Sequence, residues 1–244
     1  MKDQQSGEPI PYVNMGIPHQ NYGTVTGADG TYILDSISLH LQDTFRISSV
    51  GYQILYKTGQ QIQSSPEIQL LPEVIELREV VVSGDQLKEK TIGNQTRSKA
   101  VRAGFRQAEL GHEIGSLFKI SGKSTSIKRF QTHIIANTHE QMKFRLNFYS
   151  IKDGLPDQKL VQQNILFNID TSEGPFSLDL EPYDITLKEN FYCTVELIES
   201  QRPEDVLFFS AGFLNKKLVW RETSHATWEK LGLVGIGFHL IVEQ

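Results

Sequence analysis

Cysteine is almost absent from the sequence, and long apolar runs are absent altogether. Cys193 is the single cysteine among 244 residues, which excludes an intrachain disulfide and a metal centre built on several thiolates. No stretch approaches the roughly eighteen consecutive apolar residues of a transmembrane helix. Residues 1–9 (M-K-D-Q-Q-S-G-E-P) have neither the basic start nor the apolar core of a signal peptide.

An excess of positive charge is also missing. The formal net charge is −5 and the isoelectric point is near 5.8, which argues against a nucleic-acid partner because such partners require a basic surface. The hydrophobic content of 39% is ordinary for a globular protein and sufficient for a core. The length favours two domains rather than one.

Period-two alternation of apolar and polar residues is the main signal present. Between these runs lie turn-forming segments such as K-D-G-L-P from Lys152 and S-E-G-P from Ser172. Many short strands separated by turns predict an all-β protein built from β-sandwiches. The alternating apolar positions are Phe144, Leu146, Phe148, Phe191, Cys193, Val195, Leu197, Ile236, Phe238, Leu240 and Val242.

Four motifs follow one another in the first third of the chain. They are G-x-P-x-x-x-V from Gly7, G-T-x-T-x-x-D-G-x-Y from Gly23, I-S-x-x-G-Y from Ile47, and L-x-E-V-V-V from Leu77. In this order they resemble the carboxypeptidase-regulatory-like domain of Bacteroidota envelope proteins. The resemblance implies a seven-stranded, transthyretin-like β-sandwich over residues 1–84. In that family the domain is an accessory module, and its name does not imply peptidase activity.

The segment E-L-R-E-V-V-V-S-G-D, residues 76–85, is predicted to be the last strand of this domain, since its three valines favour β-structure. A polar segment follows with scattered Lys and Arg, diluted by acidic residues and without interleaved aromatic rings. We interpret residues 85–110 as a linker, with a short helix over 98–107.

The start of the chain departs from the family pattern. The family opens with a G-x-V-x-D strand, of which only Met1-Lys2-Asp3 corresponds here. We therefore expect an export signal upstream of Met1 and a location in the periplasm, in the outer membrane or at the cell surface. If Met1 is the natural start, the sequence predicts a cytoplasmic protein instead.

Residues 111–244 form the second predicted domain. Their order of motifs resembles the C-terminal β-sandwich that often follows the regulatory-like domain in Bacteroidota proteins. We expect a jelly-roll-like β-sandwich, an architecture shared with carbohydrate-binding domains at the level of fold, which does not fix function.

Motifs for catalysis and cofactors are absent from the sequence. No histidine is followed by Glu at the third position, as a zinc carboxypeptidase requires, and no H-E-x-x-H, G-x-S-x-G, P-loop or dinucleotide fingerprint occurs. Cys193 and Ser210 fall at strand positions typical of core residues. Acidic pairs such as Glu196 and Glu199 are interpreted as a solvated face rather than a glycosidase pair. We predict no catalytic residue, metal or cofactor, with a structural calcium at the strand edges near Asp153 as the alternative.

Aromatic residues provide the main evidence for binding. We expect Tyr149, Tyr183, Tyr192, Trp220 and Trp228 at solvent-facing or loop positions. Trp220 to Trp228 is predicted to form a hairpin that presents two rings and the Arg221 guanidinium, able to stack on sugars or anchor a protein. The predicted ligand-binding residues are Trp220, Arg221, Trp228, Tyr149 and Tyr192. The alternative is that both tryptophans cap the core.

Taken together, the sequence predicts a non-enzymatic binding or scaffold protein of the cell envelope, with a glycan or an envelope protein as partner. An accessory role in TonB-dependent nutrient uptake is the alternative, because a similar domain precedes the plug of those transporters. A hydrolase with an unrecognised site is a third hypothesis.

Overall fold

A computed structural model of the 244-residue chain describes residues 1–73, 88–107, 109–120, 122, 124–138, 142–202, 204–213 and 218–244. Strands dominate these residues, so the predicted all-β fold class is confirmed. No helix of the described part is long and apolar enough to cross a membrane.

The N-terminal unit, residues 1–73, consists of two small sheets around one core. A parallel pair joins β1 to β6, and a four-stranded antiparallel sheet has the order β3-β2-β4-β5. Its buried residues include Val13, Met15, Phe45, Ile47 and Ile68. The elements are β1 (Lys2–Asp3), β2 (Asn14–Gly16), β3 (Gly23–Val25), a 3-10 helix (Ile37–Leu39), β4 (Thr44–Ser48), β5 (Leu55–Thr58), α1 (Gly59–Ser64) and β6 (Gln69–Leu70).

Six strands therefore lie in the described part of this unit. The predicted closing strand over residues 76–84 lies outside the described residues, as does the whole segment E-L-R-E-V-V-V-S-G-D, residues 76–85.

The second unit is a sandwich of two larger sheets. One contains eight strands around the long β10, and the other contains seven in the order β12-β11-β16-β9-β18-β19, with β13 beside β11. The strands are β7 (Glu89–Gly93), β8 (Val101–Phe105), β9 (Glu113–Phe118), β10 (Thr125–Asn137), β11 (Lys143–Lys152), β12 (Leu155–Lys159), β13 (Ile165–Asn168), β14 (Gly174–Asp179), β15 (Ile185–Leu187), β16 (Phe191–Glu199), β17 (Leu207–Phe213), β18 (Leu218–Arg221), β19 (Glu229–Leu231), β20 (Val234–Ile236) and β21 (His239–Glu243), with a 3-10 helix over Glu181–Tyr183.

The helix predicted over residues 98–107 is wrong, and much of the predicted linker over 85–110 belongs to the larger sheet. β7 pairs with β21, and β8 pairs with β17 from Val101 to Phe105. Phe105 is fully buried in the sandwich core. Pairing with β17 and burial of this ring decide the local structure despite the polar composition of the segment.

The core between the two large sheets contains the alternating apolar residues predicted from the sequence. Phe144, Phe148, Phe191 and Phe238 are buried there, and the Phe118 and Phe191 rings stack with centroids 5.5 Å apart. Cys193 is also buried, and desolvation raises the pKa of its thiol well above the usual value. It is a core residue rather than a reactive thiol.

The N-terminal unit packs on the outer face of the seven-stranded sheet. The loop between β18 and β19 fits against β2 and β3 so closely that a Cβ added at Gly16 would lie 2.1 Å from the carbonyl oxygen of Ser224. The backbone N–H of His19 donates to the His225 carbonyl at 3.1 Å. The two units therefore form one closely packed body, and the space left between them is the site described next.

Candidate ligand-binding cleft

Four charged residues form a row across the outer face of the seven-stranded sheet. Arg145, Glu196, Glu113 and Arg221 are direct cross-strand neighbours on β11, β16, β9 and β18. Both glutamates are fully buried, and the two arginines are nearly so. The N-terminal unit covers this row, which is why residues expected on a solvated face are buried.

Hydrogen bonds satisfy the two glutamates. The Arg221 Nε donates to Glu113 Oε2 at 3.0 Å, and an Arg145 nitrogen lies 3.4 Å from Glu196 Oε2. The Asn147 amide donates to Glu113 Oε1 and to Glu196 Oε2, at 2.8 Å each. The arrangement is a closed ionic network, in which each carboxylate has its own arginine and shares one amide.

The electrostatics of the row keep Glu196 ionised. Burial alone would raise the pKa of its carboxyl, but the charges of Arg145, Lys159 and Arg221, together with the Asn147 hydrogen bond, lower it to about 2. A carboxyl that stays ionised and fully buried can neither give up a proton at neutral pH nor reach a substrate. Glu196 is therefore structural in this arrangement.

The N-terminal unit adds partners to the same network. The Arg145 guanidinium donates to Asn14 Oδ1 at 2.6 Å and to the carbonyl of Tyr12, and the Asn14 amide donates to Glu196. Tyr12 in turn donates its hydroxyl to Glu199 at 2.8 Å. The interface between the units is thus polar and fixed by directional contacts.

His225 is a second link between the units. It takes a left-handed backbone conformation with φ of 66°, and its Nδ1 lies 2.9 Å from an Arg46 nitrogen. Desolvation and the nearby Arg221 and Arg46 lower its pKa well below the usual value. The neutral ring accepts from Arg46 at Nδ1 and donates from Nε2 to Ser48 Oγ at 3.3 Å, a tautomer that follows from these partners.

A cleft of about 520 Å³ remains between the units, next to this network. Its volume lies within the range of about 300–1,000 Å³ that small-molecule sites occupy. One wall comes from β4 and the residues after it, and the other from β11, β12 and the loop between β18 and β19. The lining includes Arg46, Ser48, Ser49, Glu73, Tyr149, Asp157, Gln158, Lys159, Gln162, Arg221, His225 and Trp228.

Trp228 lies in this cleft, supported on two sides. The Arg221 guanidinium carbon lies 4.5 Å from the centroid of its ring, and the Tyr149 ring meets it edge-on with centroids 5.7 Å apart. Trp228 remains partly exposed. The ring is therefore held in place while part of its surface stays available to a ligand.

Lys159 faces the cleft from β12, as the cross-strand neighbour of Tyr149. Desolvation and the nearby Arg145 lower its pKa to about 8, although Glu196 and Glu113 act in the opposite direction. Within the described part of the chain, its ammonium forms no hydrogen bond or ion pair. Lys159 is thus a cleft residue whose ammonium has no direct partner among the residues that the structure describes.

Of the five predicted binding residues, the structure places three in the cleft, one beneath it and one in a separate groove. Arg221, Trp228 and Tyr149 line the cleft. Tyr192 packs beside Tyr149 in the cluster beneath, and its hydroxyl donates to the Gly154 carbonyl at 2.6 Å. Both tyrosines are buried rather than solvent-facing, because the sheet's outer face is covered.

Trp220 points to the opposite face of its strand from Arg221. It packs against the sandwich core and lines a separate groove of about 380 Å³ at the edge of the sandwich, together with Arg102, His112 and Phe208. Strand alternation makes this unavoidable, since Trp220 and Arg221 are adjacent on β18. The predicted hairpin forms, but it does not present both tryptophans on one side.

Arg46, Lys159 and His225 were not among the predicted binding residues. Each becomes part of the cleft only because two distant segments pack together, and no local motif marks this contact. Among the described residues, no group of three or more His, Cys, Asp and Glu could hold a metal ion.

Comparisons with known proteins support the N-terminal domain. The family model of the CarboxypepD_reg-like domain matches residues 1–82 of the 244. None of the curated proteins compared with the chain matches it.

Two similar solved structures belong to a clostridial cysteine protease. The first contains the cysteine protease and lectin-like domains of Cwp84, a surface layer associated protein of Clostridium difficile. It is 11% identical with a TM-score of 0.49, over 96% of this chain and 58% of that one. The second is the clostridial protease after propeptide cleavage, 9% identical with a TM-score of 0.47, over 96% of this chain and 65% of that one. The chain thus spans less than two thirds of each, and neither likeness is close enough to support a function.

Proposed function

We propose that the protein is a non-catalytic binding module of the cell envelope that takes a glycan in the cleft between its two units. The observation that carries this proposal is Trp228, held between Arg221 and Tyr149 at the wall of a cleft of about 520 Å³. An aromatic ring beside several hydrogen-bonding side chains is the combination that sugars require, because rings contact their C–H faces and polar groups bind their hydroxyls.

The polar lining supports a sugar over a purely apolar ligand. Ser48, Ser49, Gln158 and Gln162 offer hydroxyl and amide groups, and Asp157 and Glu73 offer acceptors at the exposed rim. The close packing of the two units supports a preformed site, which lowers the entropy cost of binding.

Glycan binding is tested by screening a polysaccharide and oligosaccharide panel for thermal stabilisation, and then measuring affinity by calorimetry. We expect at least one glycan to bind and Trp228→Ala to weaken it at least tenfold. Trp220→Ala is the matched control, since Trp220 lines a different groove and its loss leaves the affinity unchanged. Equal binding by wild type and Trp228→Ala would refute the location of the site.

The envelope location is a further part of the proposal and follows from the resemblance of the first domain. Fractionation of the native host is its test, with recovery in envelope fractions expected and recovery in the cytosol contradicting it. If an immobilised chain retains an outer-membrane receptor but no glycan, the accessory role in nutrient uptake replaces the glycan proposal.

A further inference from the structure

The charges at the cleft are not balanced within the buried network. Glu113 and Glu196 are each paired with an arginine, Arg221 and Arg145 respectively. Within the described ranges, Lys159 is therefore a third cation beside two carboxylates that already have their own arginines. A cation held in partly desolvated surroundings without a counter-ion is costly to the folded state, and an anion that enters the cleft removes this cost.

Arg46 adds to this surplus from the other wall. Its guanidinium contacts the neutral His225, and within the described residues it pairs with no carboxylate. His225 contributes no charge at neutral pH, and the Arg221 guanidinium of the lining is paired with Glu113. Among the described residues, Lys159 and Arg46 are therefore the cations of the cleft lining without a carboxylate partner. Each wall of the cleft therefore contributes one cation toward the ligand, Arg46 from β4 and Lys159 from β12.

The carboxylates of the cleft lie at its rim. Asp157 and Glu73 line the cleft and are exposed. They are positioned to accept hydrogen bonds from hydroxyl groups, and they oppose the approach of a doubly charged phosphate more strongly than that of a single negative charge. The lining thus fits a ligand that has one carboxylate and several hydroxyls.

We propose that the cleft binds an acidic sugar of the uronate class, with its carboxylate paired to the Lys159 ammonium, its hydroxyls bound at the rim and its ring against Trp228. The inference rests on the proposed glycan function and names the class of glycan. Lys159 and Trp228 lie on the same wall of the cleft, since Tyr149 contacts the Trp228 ring and is the cross-strand partner of Lys159.

The test is a calorimetric titration at pH 7 of oligomers of galacturonate, glucuronate and mannuronate. Each is compared with its neutral, carboxyl-reduced counterpart. We expect one acidic oligomer to bind at least tenfold more tightly than its counterpart, and Lys159→Met to remove this preference. Lys159→Arg preserves the charge and retains it. Lys152→Met, which removes an exposed lysine of the neighbouring strand β11, is the matched control and leaves the preference intact.

The pH dependence gives a second readout. Lys159 is surrounded by Arg145 and Arg221, which disfavour its proton, and by Glu196 and Glu113, which favour it, with Asp157 two residues away on β12. Because its pKa is lowered to about 8, the preference for the acidic oligomer declines between pH 7 and pH 9.5 in wild type. It persists over that range in Lys159→Arg, whose guanidinium stays protonated.

The outcomes separate this inference from the proposed function. If acidic and neutral oligomers bind equally and Trp228→Ala weakens both, the uronate assignment is wrong and the glycan function stands. If inorganic phosphate displaces the oligomer at equal concentration, the carboxylate assignment is wrong. If no oligomer of either kind binds, both proposals fail.

Discussion

Glu113 and Glu196 illustrate how single residues determine the interface. Two adjacent carboxylates are fully buried, and each is stabilised by an arginine and by the shared amide of Asn147. Removing one partner of a buried ion pair leaves an uncompensated charge in the interior, which is far more costly than losing an exposed pair.

Arg145→Met tests this network. Since the Glu196 carboxylate then remains buried without its arginine, we expect the free energy of unfolding in urea to fall by about 3–5 kcal/mol. Lys99→Met is the matched control, because Lys99 forms a solvent-exposed pair with Glu173, and we expect its loss to leave the free energy of unfolding almost unchanged. Similar costs for the two variants would contradict the network.

Removing the charge of Lys159 is expected to have the opposite effect on the free energy of unfolding. Its folded-state pKa of about 8 lies below the unfolded value of about 10.4, so the unfolded chain binds the extra proton between these pH values. The free energy of unfolding of wild type therefore rises as the pH increases from about 8 to about 10.4. We expect Lys159→Met to lose that rise and to be at least as stable as wild type at pH 7. A destabilised Lys159→Met protein would show that the ammonium has a structural partner.

At the scale of elements, the loop between β18 and β19 connects the two units. Its residues fit against β2 and β3 with no room for side chains at Gly16, and a Cβ at Gly23 would also lie 2.9 Å from the Ser224 oxygen. Glycine is required at Gly16 because backbone approaches backbone, and the neighbour cannot move as a flexible side chain would.

Gly16→Ala is therefore expected to weaken the contact between the units. We predict a loss of about 1–3 kcal/mol in the free energy of unfolding, as for overpacking of an interior. Weaker protection of His19 and Ala226 amides from hydrogen exchange accompanies this loss. Gly232→Ala is the control, since a Cβ there meets nothing within 4 Å. An equal free energy of unfolding in both variants would show that Gly16 is not closely packed against the loop between β18 and β19.

The sequence predicts which residues form the strands and face the core, but it does not predict what covers the other face of a sheet. Alternation in β11, β16 and β20–β21 identifies the core residues, since Phe144, Val195 and Leu240 are all buried. It does not show that the other face of a sheet is covered, so Tyr149 and Glu196 were expected near solvent. That covering depends on contacts between residues more than a hundred positions apart, such as Arg145 with Asn14.

The sequence-based prediction misses the secondary structure of two short segments, and in each case the cause lies in the segment itself. β8 was interpreted as part of a linker with a helix, because its polar neighbours hid the strand that pairs with β17. Helix α1 was not predicted, although Thr58 and Gln61 form a capping box at its start and Ile62 anchors it in the core. A six-residue helix offers too short an apolar pattern to stand out from strands by periodicity.

For the whole molecule, two partly buried, neutral histidines make stability depend on pH. Desolvation lowers the pKa of His112 to about 4, and burial with two nearby arginines lowers that of His225 well below its usual value. Between about pH 6.5 and pH 4 the unfolded state binds protons that the folded state does not, so the free energy of unfolding falls as the pH falls. The loss for His112 reaches about 3 kcal/mol near pH 4.

Urea titrations from pH 8 to pH 4.5 test this dependence. We expect the decline below pH 6.5 to be smaller in His112→Phe and in His225→Gln than in wild type. His19→Gln, at an exposed position, serves as the control and retains the decline. The lowered pKa of Glu196, about 2, adds a separate loss only below about pH 4.5. If the free energy of unfolding declines below pH 6.5 in both His112→Phe and His225→Gln as it does in wild type, these histidines are not the cause of the decline.

If the ligand binds between the two units, blocking the cleft from the N-terminal wall must weaken binding strongly. Ser49 lines that wall, whereas Ser172 lies exposed in the turn before β14 of the opposite sheet. The deciding measurement is calorimetric titration of the uronate oligomers into Ser49→Trp, with Ser172→Trp as the matched control. We predict at least a tenfold loss of affinity in Ser49→Trp and wild-type affinity in Ser172→Trp. Undiminished binding by folded Ser49→Trp would show that the ligand binds elsewhere.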